Sequence, residues 1–296
     1  MQKRYALLLT FLVTLVIIID YSWIMGRQII TGMSTSKDFS KLKKELPTLN
    51  TNIENAKTFS IASWNLQVFG QKKASNKELM NIYASTISQF DIVFIQEIKD
   101  ISGHSFQDLC KLLKDYQCNV SSRAGRTSAK EQIGIIYRKG INLTNFFEFN
   151  LDKQDRWEYA PIKVKFDINN KNITIYNMHT KPSDAVSEIT NLESIVINEG
   201  DTLVLGDFNA DCYYYDHEDN NNFANWHWII KDHENTMVSN NGCADDRIIL
   251  NDNLLSKLDA YGIYEDKIDK NVSDHYLIWA EFKANFILIF SPQYFN

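Results

Sequence analysis

The residues best equipped for chemistry in this chain sit at the C-terminal ends of apolar runs. Ile173–Tyr176 leads into Asn177-Met178-His179-Thr180-Lys181-Pro182, and Leu203–Leu205 leads into Gly206-Asp207-Phe208-Asn209-Ala210-Asp211-Cys212. Strand ends are where ligand sites gather, because loops open to solvent there while the sheet fixes positions. Further ends offer Asn65, Glu97, Glu131, Asp246, and Asp274 with His275. Hydrolysis of a phosphodiester needs a nucleophilic water, relief of charge on the phosphoryl oxygens and a proton for the leaving oxygen. Carboxylate and amide oxygens of Asn65, Glu97, Asp207, Asn209 and Asp274 are donors that hard divalent cations prefer. His179 and His275 can exchange protons near neutrality, with carboxylates beside them fixing the tautomer. No Gly-x-Ser-x-Gly elbow is present, so no serine nucleophile is implied. The pattern points to metal-assisted phosphoester hydrolysis.

The elements that must hold these groups follow from periodicity. Strands are predicted at Ser60–Leu66, Asp91–Gln96 (ending at Glu97), Ile133–Tyr137, Ile162–Phe166, Arg247–Leu250 and Tyr276–Phe282, besides the two runs above. Amphipathic helices are predicted at Lys77–Gln89, Phe106–Leu113 and Ala185–Val196. Many strands with a few helices between them imply an α+β layered sandwich.

At 296 residues and 44% hydrophobic, the chain can bury one large core or two modest ones. Its net charge of −6 argues against a scaffold that binds nucleic acid through a basic surface. A hydrolase that recruits divalent cations escapes that objection, since the ions supply local positive charge. Residues 1–25 combine a basic start, Lys3-Arg4, with the apolar run Tyr5–Ile19. That run is shorter than the roughly 20 residues of a spanning helix, and no clear cleavage site follows. The segment is a signal peptide or an uncleaved signal anchor. Either places the domain outside the cytoplasm, secreted or tethered, with membrane contact through this segment, while the apolar run Phe286–Phe290 reads as an extra edge strand or a membrane-seeking tail. Residues 26–58 form a polar spacer, 59–283 the catalytic domain, and 284–296 an apolar tail. Four cysteines suit an oxidising destination. The simplest of three pairings joins Cys110 to Cys118 and Cys212 to Cys243.

The set Trp64-Asn65, Ile95-Gln96-Glu97, His179, Gly206-Asp207-Phe208-Asn209, Asp246-Arg247 and Ser273-Asp274-His275 resembles the endonuclease/exonuclease/phosphatase superfamily. Pro182-Ser183-Asp184-Ala185-Val186, Glu188-Ile189, Asn209-Ala210-Asp211-Cys212 and Cys243-Ala244 are similar to its deoxyribonuclease I branch. The resemblance runs from about Phe59 to Phe282. It implies a four-layer α/β sandwich of two packed mixed β-sheets flanked by helices, in a monomer that cleaves double-stranded DNA through the minor groove and leaves 5′-phosphates. It implies Mg²⁺ or Mn²⁺, and Ca²⁺ as a further ion. Glu97 corresponds to the main metal ligand, beside Asn65 and Asp274, while Asp207 and Asn209 hold the scissile phosphate or a second ion. His179 with Glu131 and His275 with Asp246 correspond to the acid/base pairs, and Cys212–Cys243 to the structural disulfide. Arg126 in Gly125-Arg126-Thr127-Ser128 and Lys99 correspond to DNA-binding positions.

The chain departs from the family pattern in places. Ala129 replaces a stacking tyrosine, Lys99 stands for an arginine, and Tyr159-Ala160 replace an arginine-glutamate pair before Pro161. Asn235 stands for a calcium-binding aspartate, and the second calcium loop is shortened. His104, His217, His227 and His233 belong to no motif and read as structural. Tyr213-Tyr214-Tyr215 and Trp226-His227-Trp228 read first as core or rim packing and second as stacking platforms for bases. Two rival functions share the fold: a phospholipid or inositol-phosphate phosphodiesterase, and a non-enzymatic nucleic-acid-binding family member.

Overall fold

A computed structural model describes residues 58–150, 154–239 and 242–284. The predicted signal segment, nearly all of the spacer and the tail from residue 285 onward lie outside the described residues. No helix among the described residues is long and apolar enough to cross a membrane.

The chain opens with β1 (Thr58–Phe69), the short α1 (Gln71–Ala74), α2 (Lys77–Ile87) and β2 (Ile92–Ile98). Then come α3 (His104–Leu112), β3 (Tyr116–Val120), β4 (Gln132–Arg138), β5 (Asn142–Glu148), β6 (Ile162–Ile168) and β7 (Lys171–His179). The 3-10 turn Pro182–Asp184 and α4 (Ala185–Ile195) lead to β8 (Asp201–Asp207), β9 (His227–Trp228) and β10 (Asp246–Leu250). The short α5 (Asp252–Leu255), β11 (Leu258–Tyr264) and β12 (Leu277–Lys283) close the domain.

Two six-stranded sheets result, with orders β11-β12-β1-β2-β4-β3 and β5-β6-β7-β8-β10-β9. Each has one parallel pair in its interior, β1 with β2 and β7 with β8, and antiparallel neighbours around it. Strand alternation explains the layering. On β7 and β8, Ile173, Ile175, Leu203 and Leu205 enter the core shared with Ile61, Phe94 and Ile135 of the first sheet. Tyr176, Met178 and Val204 point the other way and pack with Ile189 and Leu192 of α4. On the outer face of the first sheet, Trp64 and Phe69 each meet Tyr83 of α2 edge-on. Helix α2 begins at Asn76, whose side chain accepts from the amides of Glu78 and Leu79, and buries Met80, Tyr83, Thr86 and Ile87 at helical spacing. The architecture is the expected four-layer sandwich. Strands β3, β5, β9 and β11 and the short helices α1 and α5 were not anticipated from periodicity.

Candidate active site

Both predicted imidazoles meet a carboxylate from the opposite sheet. His179, the last residue of β7, has Nδ1 2.6 Å from Oε1 of Glu131, which immediately precedes β4. His275, two residues before β12, has Nδ1 2.8 Å from Oδ2 of Asp246, the first residue of β10. Between the two rings lies Asp207 at the end of β8, its Oδ2 3.4 Å from His179 Nε2 and 3.5 Å from His275 Nε2. Parallel pairing places His179 level with Asp207, and antiparallel pairing places Asp246 level with Asp207. Gly206 (φ 149°) packs directly against the carbonyl of Met178.

The first sheet supplies a strained carboxylate. Ladder irregularities after Asn65 on β1 and after Ile95 on β2 bring Gln67, Val68 and Glu97 to positive φ values of 44°, 54° and 58°. Such backbones are rare for residues with a Cβ, rarest for a β-branched one, and cluster at functional sites. Here they turn the Val68 amide onto Glu97 Oε2 at 2.7 Å and the Gln67 amide onto Asn65 Oδ1 at 2.8 Å. Asn65 Nδ2 then donates to Glu97 Oε1 at 3.1 Å and to Asp207 Oδ2 at 2.8 Å. The amide nitrogen of Asn65, not the oxygen expected of a metal ligand, therefore faces the carboxylates, and it braces two of them. Asn209 (φ 45°) donates through Nδ2 to the Thr180 carbonyl at 3.0 Å, and Asp274 accepts from Gln67 Nε2 at 2.8 Å.

The electrostatics follow from burial and crowding. Burial opposes a charged ring at His179, but Glu131 and Asp207 outweigh it and push the imidazole up to about 10. At His275 burial is likewise overcome, by Asp246 and Asp207, so that pair keeps its proton well beyond the usual histidine range. Burial also opposes ionisation of Glu97, yet His179, Lys99 and the Val68 and Asn65 hydrogen bonds hold it down at about 2.

One acidic residue of the site belonged to no predicted role. Asp245 is pushed up to about 7 by burial and by the neighbouring Asp207 and Asp246. Its position beside Asp246 was the sole sequence signal. Asp245 Oδ1, Asp246 Oδ1 and Asp274 Oδ1 are all buried with no hydrogen-bond donor among the described residues, although buried polar atoms are rarely left so. Hard, unpartnered oxygens gathered around Glu97 and Asp207 are a donor set that fits a divalent cation. One oxygen each of Asp207 and Asp246 and a ring nitrogen of His275 lie within 4.8 Å of one another, which gives a second grouping able to hold an ion.

Both basic residues expected to contact DNA are engaged within the chain. Arg126 meets Asp155 at 3.0 Å, Asp184 at 3.5 Å and Glu158 at 3.7 Å. Three carboxylates therefore surround this expected DNA-binding side chain. Lys99 lies between Glu97 at 3.4 Å and Glu131 at 3.5 Å, so it acts as counter-charge at the floor of the site. Tyr159, from the departure before Pro161, stacks on the His179 ring at 5.2 Å, and the Lys99 ammonium lies over the Tyr159 ring, 5.7 Å from its centroid.

Glu97, Lys99, His179, Asp207, Asp274 and His275 floor an open cleft of about 960 Å³, whose wall includes Lys181, Pro182, Met237, Tyr213 and Tyr214. Cys212 and Cys243, which also line it, are bonded to each other, and Cys110 is bonded to Cys118. His217 packs on Tyr215 and Trp228, and His227 pairs with Asp252, both away from the dyads.

The model of the Endonuclease/Exonuclease/phosphatase family matches residues 62–275. The chain is 28% identical to Deoxyribonuclease-1 of Bos taurus over 255 residues, 74% of this chain and 90% of that one. It is 28% identical to Deoxyribonuclease-1-like 2 of Mus musculus over 264 residues, 79% of this chain and 95% of that one. Among solved structures, a humanized TDP2 of D. rerio superposes with a TM-score of 0.59 at 18% identity, covering 77% of this chain and all of the other. A mannosyl-6-phosphatase of Bacteroides thetaiotaomicron superposes with a TM-score of 0.55 at 15% identity, covering 75% and 98%. At such identities the structural likeness speaks for the fold.

Proposed function

Because the chain belongs to the Endonuclease/Exonuclease/phosphatase family, with sequence relatives in its deoxyribonuclease I-like branch, we propose that it is an exported, divalent-metal-dependent endonuclease. Its catalytic domain, residues 59–283, hydrolyses phosphodiester bonds of DNA and leaves 5′-phosphates. The observation that carries this reading is the pair of histidine–carboxylate dyads facing each other across Asp207, at the floor of a cleft rich in unpartnered carboxylate oxygens. Two disulfides support an oxidising destination.

Without an ion the surrounding carboxylates keep both rings protonated. With those carboxylates neutralised by a bound cation, one imidazole would take a proton from the attacking water through Nε2, and the other would return one to the leaving oxygen, a division of labour typical of acid–base catalysis. Glu131 and Asp246 hold the respective Nδ1 atoms, so each Nε2 faces the cleft in a fixed tautomer. Asn65 keeps Glu97 and Asp207 at fixed separation, and Asn209 projects from a strained turn beside them. Glu97, Asp207 and Asp274, with Asp245 nearby, would hold Mg²⁺ or Mn²⁺. The ion would neutralise carboxylate and phosphate charge and so lower the barrier to attack. Asn235 is occupied with the Met237 and Ser239 carbonyls, so Ca²⁺ has no evident support from that residue.

The test is nicking of supercoiled plasmid by the purified protein with Mg²⁺ plus Ca²⁺ or with EDTA, alongside His179→Ala. Metal-dependent nicking that the variant lacks is expected. Intact plasmid at high enzyme, with turnover of phospholipid or inositol phosphate instead, would overturn the nuclease assignment.

A further inference from the structure

The cations in and beside the cleft are paired with acids, Lys181 with Asp184 at 3.2 Å among them, and aromatic rings stand at its edge. Arg126 is surrounded by Asp155, Glu158 and Asp184, and Lys99 by Glu97 and Glu131. Side chains paired in this way have less charge to offer a duplex backbone, where counterion release is a main source of affinity. At the rim, however, Tyr213 is 96% exposed and Tyr214 is 44% exposed. Both line the same cleft as the two histidines. Their neighbour Tyr215 is buried against Trp228, which anchors one end of the triplet. The Cys212–Cys243 disulfide anchors the other. The Tyr213 ring, left in water, has no packing role to explain it, and the half-covered Tyr214 ring stands beside it at the mouth of a phosphodiester site.

We propose that Tyr213 and Tyr214 form a stacking platform for unpaired bases, which makes single-stranded DNA the preferred substrate. The inference rests on the nuclease reading above and names its substrate class. A base inside a duplex has both faces covered by its neighbours, whereas an unpaired base offers a face to a tyrosine ring. Such a stack is worth about 1–3 kcal/mol per base and needs no phosphate-binding cation. That range corresponds to roughly 5- to 150-fold in affinity.

The test compares initial rates on a fluorescent single-stranded oligonucleotide and on the same sequence closed into a hairpin duplex. It uses the wild type, the Tyr213→Ala/Tyr214→Ala double variant and the Tyr213→Phe/Tyr214→Phe double variant. The wild type is expected to cut the single strand about tenfold faster or more. The alanine pair should lose about tenfold or more on the single strand, mostly in KM, while the phenylalanine pair keeps the wild-type rate because it keeps the rings. Both tyrosines are solvent-facing, so the circular-dichroism melt of either variant should overlay the wild type. A duplex cut as fast as the single strand, or an alanine pair that matches the wild type, overturns the platform and leaves the nuclease reading standing. If neither DNA is cut while bis(p-nitrophenyl) phosphate is hydrolysed, the nuclease reading falls and the platform falls with it.

Discussion

The two dyads are built alike and surrounded differently. Each joins a histidine of one sheet to an acid of the other, and they cross the interface in opposite directions: His179 from the second sheet to Glu131, and His275 from the first sheet to Asp246. Around His179 the acids are compensated, since Lys99 touches both Glu97 and Glu131 and Tyr159 covers the ring. Around His275 they accumulate, with Asp207, Asp274 and Asp246 all within reach and Oδ1 of Asp245, Asp246 and Asp274 without a hydrogen-bond donor among the described residues. The lesson is that a shared hydrogen-bond pattern leaves open how firmly each ring keeps its proton, which the surrounding charge decides.

The largest effect expected comes from removing either ring. His179→Ala and His275→Ala should each lower kcat for DNA cleavage by about 10²- to 10⁴-fold, and the double variant should fall far short of the product of the two losses if the dyads act as one unit. Multiplying losses would mean that the two rings work independently.

Neutralising the partners should separate the dyads. Glu131→Gln leaves His179 facing Lys99 with less negative charge to hold its proton, whereas Asp246→Asn leaves His275 with Asp207 and Asp274. Supporting acids of this kind are worth about 10- to 100-fold, and Glu131→Gln should sit nearer the upper end. Equal losses in kcat at a common pH would show that the contrast in surroundings is without consequence.

Stability in EDTA reports the same contrast. His179 is pushed from its usual 6.5 to about 10 in the folded protein. Its stabilising contribution is therefore complete below pH 6.5 and is lost as pH rises towards 10. The metal-free Tm should decline across that window, and the decline should flatten in His179→Ala.

The smallest effect lies at Asp245. Its carboxyl moves from the usual 3.8 up to about 7, so the unfolded chain ionises first and the folded state loses stability as pH rises from 4 to 7. Asp245→Asn should raise the metal-free Tm at pH 8 by a few °C, since 1 kcal/mol is worth about 2–4 °C in a domain of this size. The gain should vanish at pH 4. With Mg²⁺ present it should shrink, because the ion compensates the carboxylate that the variant removes.

What could be read in the sequence follows from where the information resides. Strands buried on both faces write themselves as apolar runs, so β2, β7 and β8 and the groups at their ends, Glu97, His179 and Asp207, were legible. Strands β3, β5 and β11 were not. Strand β5 leaves four of its seven residues exposed, and no residue of β11 is fully buried, so neither carries an apolar run. Glu131 and Asp246 could be assigned only through family resemblance, since their partners lie 48 and 29 residues away. The ion pairs of Arg126 were hidden for the same reason: its carboxylates come from 29, 32 and 58 residues downstream, and no local pattern records that they converge. Asp245 is a carboxylate among many in sequence, and its burial is a property of the assembled fold.

Gly206 sets the dimensional tolerance of the whole site. A Cβ at this residue would stand 2.0 Å from the Met178 carbonyl oxygen, so any side chain would force β7 and β8 apart by more than about an ångström. Those two strands carry His179 and Asp207 as direct neighbours. Displacements of about 1 Å can cost catalysts on the order of 10²-fold. The fit between proton carrier and carboxylate is thus gauged by an absent carbon atom, and the gauge admits one amino acid only.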